Sequence, residues 1–352
     1  MLKINFHANR KKIDTFPVPK NYDLIEKEKV LQTSIPIHLD GDLEKVKKVP
    51  FGITLEQELK EFNSKTYKSG PFYSYKLENV VLIKNRLYFG EYEYQLNPLE
   101  NPQRIYNSNQ VQLYENAAFS SMRISTVFFG HWLREELILI DYLQGKKDIV
   151  TSSPSTPQKK EIMNLFNLKC NVNSFAKIST ADMYYGWQHS NVYKEILSSY
   201  KQKISLLPSI YSSASKLIVY LKRGYSASKR VLENEEKMLE SLSKDFQVLS
   251  FIAESTPIEE LYAALYKADF ILSIEGSQMA HAIIAGKPKS TLICIQPPSR
   301  FYNPFKNYCS DADIGYAILV ADEGLTKESF VVDIDNLKRL FDKVESKFIR
   351  LF

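Results

Sequence analysis

The chain has 352 residues, enough for about two domains of the usual size, roughly 150 residues each. Apolar residues make up 44% and charged residues 25%, values that exclude a disordered or collagen-like chain. The 46 basic and 41 acidic residues give a net charge of +5, which suits an anionic ligand or an anionic membrane surface. This excess is too small for a protein that binds RNA or DNA mainly through charge, and we expect no nucleic-acid partner.

Cysteine usage and the distribution of apolar residues indicate the compartment. The three cysteines show no Cys-x-x-Cys spacing, so neither a disulfide framework nor a zinc knuckle is indicated. The segment Met1 to Arg10 is polar where a signal peptide needs an apolar core, and no apolar run of about 18 residues occurs. We expect a cytoplasmic protein without a membrane-spanning helix, whose contact with the inner membrane is at most peripheral.

The first part of the chain is lysine-rich and interrupted by prolines, which predicts a leader over residues 1–78 that packs on the first domain. Its clearest element is a helix over Thr54 to Phe62, opened by a Thr-x-x-Gln capping pattern. The runs 79–83 and 87–94 then predict a β-hairpin.

Residues 79–208 are predicted to form a first α/β domain. A helical pattern starts at His131, a short strand covers 148–151, and a helix covers 161–168. A strand followed by a crossover helix is typical of a parallel sheet.

Residues 209–334 carry the most regular pattern. Apolar strands are predicted at 216–221, 248–252, 270–274 and 291–295, and helices lie between them, from about 227 to 244 and from Ile258. Such β-α repeats predict a Rossmann-like domain whose ligands bind at the carboxyl ends of its strands. A closing helix is expected over residues 335–352.

A basic segment follows the first of these strands. Lys222 and Arg223 end the strand, and Lys229 and Arg230 precede the next helix, so four cations can meet one anion such as a diphosphate. The alternative is a solvated basic loop. Glu235 falls on the apolar stripe of the following helix and should therefore meet a cation such as Arg223 or Arg230, or a ligand.

A second candidate follows the strand 270–274. Glu275, Gly276 and Ser277 form a turn in which the glycine lets the backbone approach a ligand closely. The alternative is a plain strand-to-helix turn. His281 lies one helical turn after Ser277, where a histidine either contacts the ligand or packs in the core.

The third candidate is His131, with Glu135 one helical turn further on. A histidine beside a carboxylate can act as a general base, whereas a capping or core histidine is equally compatible with the spacing. No metal site is predicted, because the two Asp-x-Asp triplets, at 311–313 and 333–335, do not follow an apolar strand of the Rossmann-like domain.

Taken together, residues 79–295 resemble glycosyltransferase family 61. The segments that carry the resemblance are Phe129-Gly130-His131-Trp132-Leu133-x-Glu135, Leu221-x-Arg223 with Arg230-x-x-x-Asn234-Glu235, and Ala268 to Ser277. Where the family usually shows His-Gly-Ala-Gly, this chain has Glu275 and, at the second glycine, Gln278. A carboxylate repels a diphosphate, so we expect Glu275 to face sugar hydroxyls or a cation.

The resemblance implies a GT-B-like α/β architecture, with two Rossmann-like domains facing a cleft. It implies an inverting, metal-independent transferase of capsular-polysaccharide type, which uses a nucleotide sugar, for example a UDP-sugar, as co-substrate and no cofactor. The acceptor is then a saccharide or lipid-linked saccharide bound by the domain over 79–208.

The resemblance also assigns roles to the candidate residues. His131 and Glu135 become the catalytic pair, and the donor-binding set is Lys222, Arg223, Arg230, Glu235, Glu275, Gly276, Ser277 and His281. The departure at Glu275 keeps one alternative open, a non-catalytic glycan-binding or scaffold protein with the same fold.

Overall fold

The computed structural model describes residues 10–349 except 14–15, 17–20, 51, 99–110, 210, 212–215 and 225–228. The described residues divide into two compact units, one within the ranges 1–29 and 68–196 and the other within the ranges 30–67 and 197–352. The last passage from the first unit to the second falls within a helix, between residues 196 and 197, whereas the sequence predicted a domain boundary between residues 208 and 209.

The helices and strands are numbered in chain order. The α-helices are α1 (Leu55–Asn63), α2 (Phe129–His131), α3 (Leu137–Leu143), α4 (Pro157–Leu165), α5 (Asn191–Ser205), α6 (Glu235–Leu242), α7 (Ile258–Lys267), α8 (Ala280–Ala285), α9 (Phe305–Asp311) and α10 (Ile334–Ile349). The strands are β1 (Lys11–Ile13), β2 (Asp23–Glu26), β3 (Lys29–Gln32), β4 (Thr66–Ser69), β5 (Phe72–Ile83), β6 (Arg86–Phe89), β7 (Tyr92–Gln95), β8 (Gln112–Phe119), β9 (Asp148–Thr151), β10 (Asn171–Val172), β11 (Phe175–Tyr185), β12 (Leu217–Lys222), β13 (Val231–Leu232), β14 (Gln247–Ile252), β15 (Phe270–Ile274), β16 (Thr291–Gln296), β17 (Gly315–Val320), β18 (Asp322–Glu323) and β19 (Ser329–Val331).

The second unit contains a parallel sheet with the order β14-β12-β15-β16-β17 among its described strands. Numbered along the chain from β12, this is the order 2-1-3-4-5 of a doubly wound fold. Its central strands are buried apolar runs, as in parallel sheets covered by helices on both faces. The strand order reverses between β12 and β15, and the carboxyl ends of strands at such a switch point are the usual ligand site.

The first unit is different from the expected Rossmann-like domain. Its described strands form a mixed sheet in the order β1-β7-β6-β5-β11-β8-β9-β10, with β2 also paired to β5. The half from β11 to β10 is parallel, but β11 pairs antiparallel with β5. The predicted hairpin is present as β5 and β6, and because β5 extends over twelve residues it provides an edge on which β11 adds. The first unit therefore does not form a second Rossmann-like sheet.

Residues 30–67, which were predicted to pack as a leader on the first domain, belong to the second unit. Helix α1 has the predicted capping box between Thr54 and Gln57. At its other end, the Nζ of Lys306 donates to the carbonyl oxygens of Glu61 (2.7 Å) and Phe62 (3.0 Å), acceptors that a helix end otherwise leaves unsatisfied. These bonds attach α1 to α9 of the second unit.

Among the helices of the described residues, none is both long enough and apolar enough to cross a bilayer.

Candidate active site

The predicted basic segment lies at the switch point of the parallel sheet. Arg223 directly follows β12, and Glu275 and Gly276 directly follow β15, the neighbouring strand. The two segments are in contact, because the Nη1 of Arg223 donates to the carbonyl oxygen of Glu275 at 2.9 Å. Arg230 reaches the same carbonyl oxygen, at 2.6 Å. Two of the four predicted cations therefore converge at the ligand edge of the sheet.

The carboxylate of Glu275 is at the centre of this group and is only 4% exposed. One of its oxygens pairs with Arg230 at 2.7 Å and with Arg300 at 3.0 Å. Glu275 was expected to face either sugar hydroxyls or a cation, and in the structure it faces cations. We call Arg223, Arg230, Arg300 and Glu275 the arginine cluster.

The arginine cluster carries excess positive charge. The neighbouring Glu254 also acts on Arg223, so three guanidinium groups face two carboxylates. Burial and the charge of Arg230 lower the pKa of Arg223 to about 10, which still leaves it protonated at neutral pH. Burial also lowers the pKa of Arg230, against the opposing effect of Glu275. A bound anion would relieve this mutual repulsion and would replace water lost by the arginines.

Gly276 leaves room for the side chain of Arg223. Its backbone is extended, and a Cβ at this position would lie 2.1 Å from the Nη1 of Arg223 and 2.5 Å from the Oε1 of Gln278. The glycine therefore admits an arginine side chain, whereas the sequence suggested close approach of a ligand. Gln278 ties the turn to β15, since its Nε2 donates to the carbonyl of Ile274 at 2.7 Å. Ser277 is exposed at the start of a short 3-10 turn.

Lys222 and Glu235 form a separate pair beside the arginine cluster. The Nζ of Lys222 lies 2.9 Å from the carboxylate of Glu235, which also accepts a 2.5 Å hydrogen bond from the hydroxyl of Tyr220. The cation partner expected for Glu235 is therefore present, but it is Lys222 and not Arg223 or Arg230. The reason is that Lys222 ends β12 on the side of the sheet where α6 begins.

His281 does not belong to the site. It lies in α8, is 1% exposed, and its Nδ1 is 3.3 Å from the hydroxyl of Tyr262 on α7. Burial lowers its pKa to about 3, so the ring is neutral in the folded protein. The donor-binding role predicted for His281 is corrected to that of a packed core histidine.

The candidate base His131 lies in the first unit, at the end of α2. A π-helical turn, Trp132–Glu136, follows it directly. Such turns are rare in proteins, and those that occur often lie at functional sites. The Nδ1 of His131 is 2.9 Å from a carboxylate oxygen of Glu135, so Nδ1 carries the proton of this hydrogen bond and Nε2 keeps its lone pair. The predicted pair is therefore in contact.

Glu135 is held as an anion. Its burial acts to raise the pKa, but the hydrogen bond from His131 and the charge of Arg134 outweigh burial and lower it to about 2. A carboxylate with so low a pKa is a weak base, which favours His131 over Glu135 as the group that takes a proton. The side chain of His131 is 24% exposed and that of Glu135 6%, so the histidine is the more accessible of the two.

Three residues of these sites were not predicted from the sequence. Arg300 follows β16 at the same sheet edge as Arg223, so the rule that ligands bind at the carboxyl ends of strands could have found it. Arg134 contacts both ring nitrogens of His131 at 3.2 Å and Glu135 at 3.1 Å. Glu136 is fully buried and accepts hydrogen bonds from the hydroxyls of Ser125, Thr151 and Ser153, and no spacing pattern signals such a group.

No group of three or more His, Cys, Asp or Glu side chains in the described part of the chain is arranged to hold a metal ion. The Asp-x-Asp triplets have structural partners instead: Asp311 accepts from the hydroxyl of Tyr67 at 2.6 Å, and Asp333 accepts from the backbone of Asn336 at the start of α10.

The comparison with protein families agrees with the sequence pattern. The family model described as Glycosyltransferase 61 matches residues 129–293, a range that contains His131 and the arginine cluster except Arg300. Among solved structures, the bacterial iron-containing dodecameric glycosyltransferase TibC from enterotoxigenic E. coli H10407 matches with 9% identity and a TM-score of 0.34, over 80% of this chain and 94% of that chain. No curated protein matches the chain.

Proposed function

We propose that this chain, a member of glycosyltransferase family 61 through residues 129–293, transfers a sugar with inversion of the anomeric carbon. The donor is a nucleotide-diphosphate sugar, such as a UDP-sugar. The acceptor is a hydroxyl group of a saccharide or lipid-linked saccharide. The arginine cluster binds the diphosphate of the donor. His131 removes the proton of the acceptor hydroxyl. The proposal assigns the donor diphosphate to the domain that carries the arginines and the acceptor to the domain that carries His131.

The observation that carries the proposal is the position of the arginine cluster. Arg223 and Glu275 follow adjacent parallel strands at the switch point, where nucleotides commonly bind in doubly wound sheets. Guanidinium groups bind two phosphate oxygens at once, and the three arginines exceed the charge of Glu275. Positive charge there also stabilises the diphosphate as the glycosidic bond breaks and the leaving group gains negative charge.

The chemistry at His131 follows from its hydrogen bonds. Glu135 accepts from Nδ1 and fixes the ring, so Nε2 is the atom that takes the proton of the attacking hydroxyl. The acceptor hydroxyl has to replace Arg134, which donates to Nε2 at 3.2 Å in this structure. Attack from the face opposite the diphosphate then inverts the anomeric carbon. Glu135 stabilises the imidazolium formed in this step, because it remains ionised.

The alternative of a non-catalytic protein rested on Glu275 at the position of the family's histidine. Glu275 is paired with Arg230 and Arg300, so its charge does not face a donor unopposed. No other contact of the described residues favours the alternative.

A thermal-shift screen against UDP-, GDP- and CMP-sugars tests the donor class. A donor present at about 100 times its dissociation constant should raise the free energy of unfolding by about 2.7 kcal/mol. We expect a UDP-sugar to give the largest shift. Equal shifts, or none, for all three nucleotides would contradict a specific nucleotide site.

Arg223→Ala should weaken donor binding by about ten- to a hundredfold, because a charge-assisted hydrogen bond to a phosphate contributes about 1.5–3 kcal/mol. The measurement is a calorimetric titration of the folded variant with the donor. Lys287→Ala is the matched control: Lys287 pairs with Asp269 at 2.9 Å, just before the amino end of β15, the opposite end of the strand. Unchanged affinity in Arg223→Ala, or equal losses in both variants, would rule out the assigned role.

Transfer should be insensitive to EDTA, because the arginines take the part that a divalent metal plays in other transferases. The measurement is the initial rate before and after dialysis against EDTA. If activity disappears and added manganese restores it, the arginine cluster is not sufficient to neutralise the diphosphate.

A further inference from the structure

The first unit contains a cavity that the proposed chemistry does not use. Its volume is about 460 Å³, and it lies between the carboxyl end of β9, helix α4 and the segment that leads into β10. The wall contains the polar side chains of Thr151, Ser153 and Asn164, the apolar side chains of Met163 and Leu168, and Lys159. Cavities of this size and mixed lining are typical of sites for small ligands.

Lys159 is the unusual member of the wall. The residue is 8% exposed, yet no hydrogen bond or ion pair with another described residue engages its ammonium group. The Nζ lies 4.9 Å from the centre of the Trp132 ring, which holds the side chain in place. Burial lowers the pKa of Lys159, against the opposing charge of Glu136. A buried ammonium group without a bonded partner is costly, and such groups are normally paired.

Glu136 does not provide that partner, because its oxygens are already occupied. The hydroxyls of Thr151 and Ser153 each donate to it at 2.5 Å, and Ser125 donates as well. These bonds fix the two hydroxyl residues as part of the cavity wall, and their positions are set before any ligand enters. Lys160 and Lys169 add two further cations to the lining. The cavity lining therefore contains cations, and the carboxylate of Glu136, whose charge acts on Lys159, is already hydrogen-bonded to hydroxyls of the cavity wall.

We propose that this cavity binds an anionic sugar, with Lys159 paired to the carboxylate or phosphate of that sugar. The charged group completes the bonding of the ammonium. The sugar ring fits the remaining wall, because its hydroxyls need polar partners such as Asn164 and its C–H faces pack on apolar side chains such as Met163 and Leu168. If the anionic sugar is the acidic unit of a glycan acceptor, the inference rests on the proposed function. A free sugar phosphate presents the same combination of an anionic group and a sugar ring.

Calorimetric titrations of the full chain with glucuronic acid, glucose 6-phosphate and glucose test the inference without any donor or transfer. At least one anionic sugar should bind ten or more times more tightly than glucose. Preference for the uronic acid points to an acidic unit of a glycan, and preference for the phosphate points to a sugar phosphate. If glucose binds as well as both anions, or if none of the three binds, the inference is overturned.

Variants locate the site. Lys159→Met keeps the length and the apolar stem, and it should weaken binding of the preferred anion by about ten- to a hundredfold, the usual value of a charge-assisted bond. Lys146→Met is the matched control, because Lys146 also lies over an aromatic ring, that of Tyr142, but does not line the cavity. Undiminished binding in Lys159→Met would overturn the inference. If Lys159→Met does not fold, Lys159→Gln takes its place with the same expected loss.

The Arg223→Ala variant distinguishes sugar binding in the cavity from sugar binding at the arginine cluster. Binding of the anionic sugar should be unchanged in that variant, whereas donor binding falls. Loss of both would place the sugar at the arginine cluster and overturn the inference, while the proposed donor role would stand. Loss of neither would contradict the proposed donor role of Arg223 and leave the cavity assignment supported.

Discussion

Turnover of the His131→Ala variant should fall by about 10²–10⁴, the usual effect of removing a general base, while donor affinity stays within about threefold of the parent. The reason is that Nε2 of His131 is the nitrogen proposed to take the proton, since Nδ1 is bonded to Glu135. Donor affinity is preserved because the proposed contacts of the diphosphate are with the arginine cluster. The measurements are the initial rate of transfer and a calorimetric titration with the donor.

Glu135→Gln distinguishes orientation from proton transfer. The amide oxygen can still accept the hydrogen bond from Nδ1, but the charge that stabilises the imidazolium is lost. We therefore expect a smaller loss of turnover than in His131→Ala. A His131→Ala protein that folds, binds donor and turns over within about threefold of the parent would exclude His131 as the base. A larger loss in Glu135→Gln than in His131→Ala would assign the role to Glu135.

Glu275→Ala should lower the free energy of unfolding by about 3 kcal/mol, which corresponds to a fall in Tm of about 6–12 °C for a unit of this size. Removing the carboxylate leaves Arg230 and Arg300 next to each other without a counter-charge. The side chain of Arg230 is 14% exposed and that of Arg300 38%, so water compensates Arg300 better than Arg230. For this reason we expect the lower end of the range of about 3–5 kcal/mol for broken buried pairs.

Asp245→Ala is the control for Glu275→Ala. Asp245 pairs with Lys338 at 2.6 Å, but its own side chain is 52% exposed, so its loss should change the free energy of unfolding by less than about 1 kcal/mol. Thermal unfolding of both variants is the measurement. Pyrophosphate should raise the Tm of Glu275→Ala more than that of the control, because an anion replaces the missing carboxylate. A Tm of Glu275→Ala equal to that of the control would contradict a buried, charge-balancing role.

The second unit was largely predictable from the sequence. Continuous apolar runs such as Leu217–Leu221 are long enough for one buried strand and too short for most helices, and the structure has β12 at those residues. The helix predicted from about residue 227 to 244 is observed as α6, which begins at Glu235. Residues 225–228 lie outside the described part of the chain. In the first unit, the helix predicted over 161–168 is observed as Pro157–Leu165, because Thr156 provides the cap.

The first unit was less predictable because its sheet depends on pairing between distant segments. Strand β11 carries polar residues such as Lys177 and Thr180 among its apolar ones, and it pairs with β5 about 100 positions earlier. No local pattern specifies that partner. The same limit applies to side-chain partners: spacing placed Glu235 near cations, but the choice of Lys222 over Arg223 depends on the direction in which β12 ends.

The central claim is that the arginine cluster binds the diphosphate of a nucleotide sugar. Calorimetric titration of the chain with uridine, UMP and UDP tests it most directly, because the three ligands differ only in phosphate. The account predicts that affinity rises with each phosphate, by about tenfold or more from UMP to UDP, and that Arg223→Ala removes most of this rise. Equal affinities for all three ligands, or a rise that Arg223→Ala leaves intact, would contradict it.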